Sequence, residues 1–129
     1  MGDADLSDDF HSSAHSVVEA IRNGRTATAM TTNFVLDETV TILGRRKGFG
    51  AEKASRAGSI ILSSPRVFTV HVDEALFRES LKLFTTYGGE LSLTDVSTLV
   101  AMKSYGVKDV YSHDRDFDRV QGIRRHAGL

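Results

Sequence analysis

Four carboxylates stand at positions where side-chain packing alone would not require an acid: Glu38, Asp95, Asp114 and Asp116. Glu38 lies within a helical apolar pattern, and Asp95 stands at the start of another apolar helix. Asp114 and Asp116 follow a short strand-like run. Acids that are far apart in sequence can converge in space when each stands at a helix face, a helix start or a strand end. Such a cluster of oxygen ligands suits a divalent metal ion.

Each acid also has a purely structural interpretation. Ser92 and Asp95 have the spacing of a capping box, in which Asp95 satisfies a backbone amide at the start of a helix. Taken alone, Glu38 fits a half-buried acid paired with an arginine. The run from Asp114 to Asp116, taken alone, fits a turn or a helix cap. The local patterns therefore leave the metal site and the structural roles open.

The elements that must position these acids alternate between helix and strand. Apolar spacing, capping residues and glycine stops predict helices over residues 11–23, from Thr32 or Asn33 to near Gly44, over 50–63, from Asp73 to Gly88 and from the Asp95 region to Gly106. Strands are predicted over residues 25–30, 67–72 and 107–111. Such alternation predicts an α/β fold with a parallel sheet covered on both faces, whose ligand site lies at the carboxyl ends of the strands.

Length and composition set broad limits on the function. A chain of 129 residues is expected to form one domain, and its formal net charge of −1 does not by itself indicate a polyanion partner. The chain contains no cysteine, which suits a reducing cytoplasm. No apolar run has the length of a membrane helix, and no signal peptide opens the chain. We therefore expect a cytoplasmic protein.

Three motifs together resemble those of the PIN-domain ribonucleases, and within them the VapC-like toxins. In chain order they are Asn33-Phe-Val-Leu-Asp-Glu38, Leu91-Ser92-Leu-Thr94-Asp95 and Ser112-His-Asp114-Arg-Asp116-Phe117. The resemblance covers nearly the whole chain, including Asp9-Phe-His11-Ser-Ser-Ala14, which is similar to the opening of the family's second helix. It implies a three-layer α/β/α sandwich with a short parallel sheet, and a metal-dependent RNA endonuclease that prefers single strands.

The resemblance also implies roles for individual residues and partners. Glu38 resembles the helix glutamate of the family, Asp95 its third acid and Asp114 its fourth, while Asp116 resembles an auxiliary ligand or a structural acid. The supporting polar positions are Ser92, Thr94 and Ser112. The implied cofactor is Mg²⁺ or Mn²⁺. The implied partners are RNA, a second copy of the chain and, for toxin members, a small antitoxin protein.

One part of the family pattern has no counterpart in this sequence. The family begins with a central strand that ends in an Asp, and Met1-Gly-Asp-Ala-Asp5 resembles only the end of the helix that follows it. We therefore expect the first strand and its acid to lie upstream of Met1, through a misplaced start codon or a shortened chain. The early acids Asp3, Asp5, Asp8 and Asp9 do not resemble that strand end. A single domain over residues 1–129 without its first strand is expected to have a compromised activity.

Basic residues cluster about two turns after Glu38. The cluster comprises Arg45, Arg46, Lys47, Lys53 and Arg56. It could flank the acidic site and grip RNA phosphates, with Phe49 or Tyr111 stacking a base. The alternative is a solvated charge cluster favoured by the helix dipole. A second basic run, from Arg124 to His126, is predicted to be a solvated tail.

Two other functional classes remain open. The first is a receiver-like phosphoacceptor domain, which shares the parallel layering and an acidic pocket. It would need an isolated Asp at the end of a central strand and a Lys followed by Pro, whereas Lys108 is followed by Asp109. The second is a catalytically impaired PIN-like module that keeps only its fold and a binding or dimerisation surface.

Overall fold

The computed structural model describes residues 19–22 and 27–127, with side chains from residue 29 onward. In chain order its elements are β1 (Glu19–Arg22), β2 (Ala27–Thr32), α1 (Asn33–Arg45), α2 (Gly50–Ser63), β3 (Val67–Val70), α3 (Glu74–Tyr87), α4 (Leu93–Ser104), β4 (Asp109–Tyr111), a 3₁₀ helix (Arg115–Arg119) and β5 (Arg124–His126). Of the helices in these ranges, none combines the length and the apolar composition needed to cross a membrane.

The strands form two sheets. The first has the order β1-β2-β3, in which β2 and β3 run parallel and place Thr32 opposite Val70. The second pairs β4 with β5, also in parallel. The α/β class with parallel strands is therefore confirmed. The sheet differs from the prediction because β1 is antiparallel to β2 and contacts β4 without a hydrogen-bonded ladder. A four-residue connection between β1 and β2 is too short for the crossover that parallel pairing requires.

The helix predicted over residues 11–23 is wrong where the structure describes that segment. Glu19–Arg22 is a strand whose residues pair with Ala27–Met30 of β2. Pairing with a neighbouring strand overrides a helical spacing of apolar residues, because β propensity depends on cross-strand contacts. Residues 11–18, the motif over 9–14 and the early acids at 3, 5, 8 and 9 lie outside the described residues.

Side-chain caps fix the junctions between strands and helices. The Thr32 hydroxyl accepts a hydrogen bond from Val35 N at 3.2 Å, which makes Thr32, one of the two predicted candidates, the N-cap of α1. Asn33 Oδ1 accepts a bond from Val72 N at 2.6 Å, so the end of the β3 segment is tied to the start of α1. Asp73 caps α3 as predicted, accepting from Leu76 N at 2.9 Å. The carboxyl ends of β2 and β3 are therefore held side by side.

Helix α4 passes through the centre of the core. It contributes buried residues on most of its circumference, among them Val96, Leu99 and Met102. The other buried apolar residues of this cluster are Met30, Val70, Leu91, Ala101, Val107, Val110, Phe117 and Val120. Because α4 is surrounded in this way, a polar side chain on its first turn is withdrawn from water.

Helices α1 and α2 pack as a close hairpin. A Cβ atom at Gly58 would lie 2.7 Å from Val40 Cγ2, so the approach of the two helices requires glycine at this position. The connecting turn contains Gly48 and Gly50, with φ of 83° and 84°, values that favour glycine. The turn and the close crossing together fix the direction in which the hairpin projects.

Candidate functional site

Asp95 begins α4 in a reciprocal pair of hydrogen bonds with Ser92. Asp95 N donates to Ser92 Oγ at 3.1 Å, and Ser92 N donates to Asp95 Oδ2 at 3.4 Å. The capping box considered from the sequence is therefore present. This structural role fixes the orientation of the carboxylate and leaves its remaining lone pairs able to accept other partners.

The environment of Asp95 disfavours its negative charge. The residue is only 8% exposed, and this burial raises the pKa of the carboxyl to about 6. In this net value the bonds with Ser92 oppose the effect of burial, and the carboxylates of Asp114 and Glu38 add smaller upward effects. Three of the four acids predicted from the sequence are thus close enough to interact, although they come from three different segments of the chain.

Asp114 is placed by a tight polar turn after β4. Ser112 is fully buried, its N–H donates to His126 O at 2.9 Å, and its hydroxyl accepts from Asp114 N at 3.0 Å. Asp114 Oδ1 then accepts from Asp116 N at 2.9 Å and caps the 3₁₀ helix. The supporting role predicted for Ser112 agrees with these contacts, since the hydroxyl holds the backbone of the acid.

Glu38 projects from α1 in a half-buried position. Within residues 29–127 it takes part in no ion pair, so the arginine partner that the structural interpretation required is not found there. The Glu38 carboxylate is near enough to Asp95 to raise the pKa of that residue. The arrangement favours a role for Glu38 as a ligand.

Asp116 takes part in a surface ion pair. Arg119 Nε lies 3.6 Å from Asp116 Oδ1, and Arg119 Nη1 lies 3.3 Å from Glu90 Oε1. Asp116 does not appear among the groups that perturb the pKa of Asp95. Of the two roles considered for this residue, auxiliary ligand and structural acid, the contacts favour the structural one.

Arg125 is a site residue that the sequence did not reveal. It lies in β5, its side chain is 16% exposed, and it donates from Nη1 to Ser112 O at 3.0 Å and from Nε to Asp118 Oδ1 at 2.9 Å. The prediction of a solvated tail at residues 124–126 is therefore wrong. The strand is only three residues long and contains two arginines, so no apolar alternation marked it.

The remaining predicted residues either have other partners or are exposed. Thr94 contributes its carbonyl, which accepts from Ser97 Oγ at 2.6 Å and Thr98 Oγ1 at 3.1 Å.

The two rings suggested for base stacking already have partners. Lys53 Nζ lies 6.0 Å from the centre of the Phe49 ring, and Tyr111 stacks on His126 at 4.7 Å. The basic residues at 45, 46, 47, 53 and 56 are all exposed on the α1–α2 hairpin.

The donor set fits a hard divalent cation in its chemistry. Asp95, Asp114 and Glu38 offer carboxylate oxygens, and their mutual repulsion would be relieved by a cation. No group of three or more acidic or histidine side chains within ligand distance of one ion is found in residues 29–127. Mg²⁺ commonly uses one or two carboxylates and retains water, so two of these acids are sufficient for such a site.

Comparisons with known proteins indicate the family to which the chain is similar. The sequence pattern of the PIN domain matches residues 6–123. The 23S rRNA-specific endonuclease VapC20 from two strains of Mycobacterium tuberculosis is 29% identical over 104 residues, which cover 80% of this chain and 77% of the relative. A crystal structure of Mycobacterium tuberculosis VapC20, described as a sarcin-ricin loop cleaving toxin, aligns with a TM-score of 0.63. The identity is 30%, over 71% of this chain and 69% of that chain.

Proposed function

This chain belongs to the PIN domain family, and we propose that it is a metal-dependent endoribonuclease that hydrolyses phosphodiester bonds of single-stranded or structured RNA. The observation that carries the proposal is the convergence of Asp114 and Glu38 on Asp95, whose pKa burial raises to about 6. Membership of this family replaces the receiver-like alternative.

The proposed cofactor is Mg²⁺ or Mn²⁺. Asp95 and Asp114 would hold the ion, with Glu38 as a third acid that binds it directly or through water. When bound, a divalent cation supplies a Lewis acid that polarises a phosphate oxygen and lowers the pKa of a water ligand. Both acids are oriented by neighbours, Asp95 by Ser92 and Asp114 by Ser112. This support keeps the carboxylates in place before the substrate arrives.

We further propose that the protein is the toxin of a toxin–antitoxin pair. The relatives at 29% identity are named as 23S rRNA-specific endonucleases, and the solved relative is described as a toxin. A sarcin-ricin loop hairpin is therefore a suitable first substrate to test. An antitoxin that inserts a cationic side chain among Asp95, Asp114 and Glu38 would compete with the metal ion. A cytoplasmic homodimer is the assembly proposed by analogy with the family.

A second candidate is a catalytically impaired PIN module that retains a binding surface. It is favoured by one observation: the described residues bring together three interacting acids but no group of three within ligand distance of one ion. The fourth acid, Asp116, is held by Arg119 instead. A site with too few direct ligands binds metal weakly, and the hydrolysis would be slow or absent.

Cleavage of labelled RNA separates the two candidates. The full chain is incubated with single-stranded RNA, and in parallel with a sarcin-ricin loop hairpin, in Mn²⁺ or in EDTA. The variant Asp95→Asn removes a proposed ligand. Asp109→Asn is the control, because Asp109 is a partly exposed acid of β4 that is paired with Arg124 and His126 and is not among the acids that perturb Asp95. Cutting that requires Mn²⁺ and Asp95 but not Asp109 supports the nuclease. Folded protein that does not cut either RNA supports the impaired module.

A further inference from the structure

One face of α1 leads from the candidate site to the basic end of the hairpin. Ile42 and Arg45 follow Glu38 by four and seven residues, so all three side chains project from the same side of the helix. With a rise of about 1.5 Å per residue, Arg45 lies about 10 Å further along the axis than Glu38. We call the set Glu38, Ile42 and Arg45 the α1 track.

The α1 track is open to solvent along its outer part. Glu38 is half-buried, whereas Ile42 is 47% exposed and Arg45 is exposed. Of the buried residues of the helix, Thr39 and Leu43 lie on the adjacent side, whereas Val35 precedes Ile42 by seven residues and shares the side of the track. This side of α1 is therefore buried at its start and exposed from Ile42 onward, where an isoleucine stands between an acid and an arginine.

The cations at the end of the track are available to a ligand. Among the described residues, neither Arg45 nor Lys47 forms an ion pair, and both are exposed. Lys53 lies over the Phe49 ring, which holds its ammonium group beside the turn. Gly48 and Gly50 adopt positive φ and set the course of the turn that carries these side chains. The cations are thus grouped by the backbone and not by pairing with neighbouring acids.

We propose that the α1 track, extended by Lys47, is the path along which an RNA strand runs from the carboxylate site. Arg45 and Lys47 bind phosphates that neighbour the bond to be cut, and Ile42 packs against a base or ribose between them. This proposal rests on the proposed nuclease function and assigns the substrate contacts of the same site. A cationic surface with an interleaved apolar side chain is the arrangement that binds single-stranded nucleic acid.

Binding of a fluorescein-labelled oligouridylate to the Asp95→Asn protein tests the proposal without cleavage. Fluorescence anisotropy gives the Kd over a range of salt concentrations for the parent variant and for the added double change Arg45→Gln with Lys47→Gln. The control double change is Lys103→Gln with Lys108→Gln. These cations are also exposed and removed in equal number, but Lys103 lies at the opposite end of α4 from Asp95.

The expected result differs for charge and for apolar contact. Loss of Arg45 and Lys47 should weaken binding roughly tenfold near 0.1 M salt and reduce the slope of log K against log salt by about 1.4, or 0.7 for each phosphate contact. Replacing Ile42 with Ser should weaken binding a few-fold and leave the salt slope unchanged, because no counterion is released at that contact. The Lys103 and Lys108 control should change neither quantity.

Three outcomes would overturn the α1 track. They are equal losses in the Arg45 and control double variants, no binding by the folded Asp95→Asn protein, and displacement of the RNA by polyglutamate as readily as by unlabelled RNA. The cleavage assay of the parent chain is read separately. Binding that depends on Arg45 in a chain that does not cut would uphold the RNA contacts of Arg45 and Lys47 and reject the nuclease. Cleavage with unaltered binding in the Arg45 variant would do the reverse.

Discussion

Ser92 and Asp95 exchange hydrogen bonds across the first turn of α4, from Asp95 N to Ser92 Oγ at 3.1 Å and from Ser92 N to Asp95 Oδ2 at 3.4 Å. Burial raises the pKa of this carboxyl group, and the acids beside it add to the effect. One residue therefore serves as a helix cap and as the centre of the candidate site. This double role connects the stability of the helix with the chemistry of the site.

Replacing Ser92 with Ala should affect both functions of this pair. Loss of the N-cap hydroxyl should lower the free energy of unfolding by about 1 kcal/mol. Because the side-chain bond with Ser92 favours the ionised carboxylate, its loss should raise the pKa of Asp95 and move the rise of RNA cleavage to higher pH, although the backbone N–H at this position is kept. Urea unfolding and a pH profile of cleavage measure the two effects. Ser92→Thr keeps the hydroxyl and should behave like the parent, and equal behaviour of the Ala and Thr variants would contradict the explanation.

The free energy of unfolding should depend on pH because the pKa of Asp95 differs between the folded and unfolded states. Its pKa is about 6 when folded and near 3.8 when unfolded, so between these values the folded state binds more protons. The contribution of Asp95 to stability is then fully present below about pH 4 and is lost as the pH rises through 6. This difference in pKa corresponds to about 3 kcal/mol in the free energy of unfolding.

The comparison with Asp95→Asn isolates this contribution from the other acids. Urea unfolding at pH 4.5 and pH 7.5 gives the free energy of unfolding of both proteins, with pH values chosen on either side of the pKa of about 6. The parent should gain stability relative to the variant at the lower pH. A difference between the proteins that stays the same at both pH values would show that Asp95 titrates normally.

A divalent cation should offset the loss of stability that the ionised acids cause in the folded state. Mn²⁺ bound by Asp95 and its neighbours stabilises the folded state by mass action, so the Tm should rise with Mn²⁺ concentration and fall again in EDTA. The rise should be larger at pH 7.5 than at pH 5, because protonated Asp95 is a poor ligand. Thermal unfolding of Asp95→Asn and Glu38→Gln should show a reduced shift. Asp109→Asn serves as the control and should retain it, and an equal loss in this variant would place the ion elsewhere.

The sequence was most informative where local signals and tertiary structure agree. The caps Thr32 and Asp73 and the capping box at Ser92 followed from residue type and spacing, and each is present. The cap predictions succeeded because caps depend on a few neighbouring residues. The resemblance to the family grouped Glu38, Asp95 and Asp114, and the ligand roles of these acids stay a prediction.

The sequence was least informative where pairing between distant segments decides the structure. Glu19–Arg22 follows a helical apolar pattern but forms a strand beside β2. The hydrophilic β5 is recognised only by its partner β4, and the contact of Arg125 with Ser112 O spans 13 residues. Neither a short-range propensity nor an apolar period contains that information.

Arg125 should matter to the site more than its neighbour Arg124. Arg125→Met removes the donor to Ser112 O and the partner of Asp118, which should loosen the turn that carries Asp114. We expect cleavage to fall about tenfold, together with a modest loss of stability, because the buried carbonyl loses its partner. Arg124→Met removes an exposed pair with Asp109 and is the matched control. Cleavage rates and Tm values of the two variants test this expectation. Equal effects would mean that Arg125 has no special role in the site.

At the close crossing of α1 and α2, the effect of a substitution at Gly58 on the Tm should depend on the residue at position 40. A Cβ atom at Gly58 would lie 2.7 Å from Val40 Cγ2, and a β-branched side chain cannot turn aside without cost. Gly58→Ala should therefore lower the Tm, although alanine is the better helix former by about 1 kcal/mol. In a Val40→Ala background the clash is absent, and the same change should raise the Tm relative to that background. A double-mutant cycle measured by thermal unfolding gives the coupling between the two positions. Additive effects would mean that the helices do not approach as closely as the structure places them, and the direction of the α1 track would then need to be measured again.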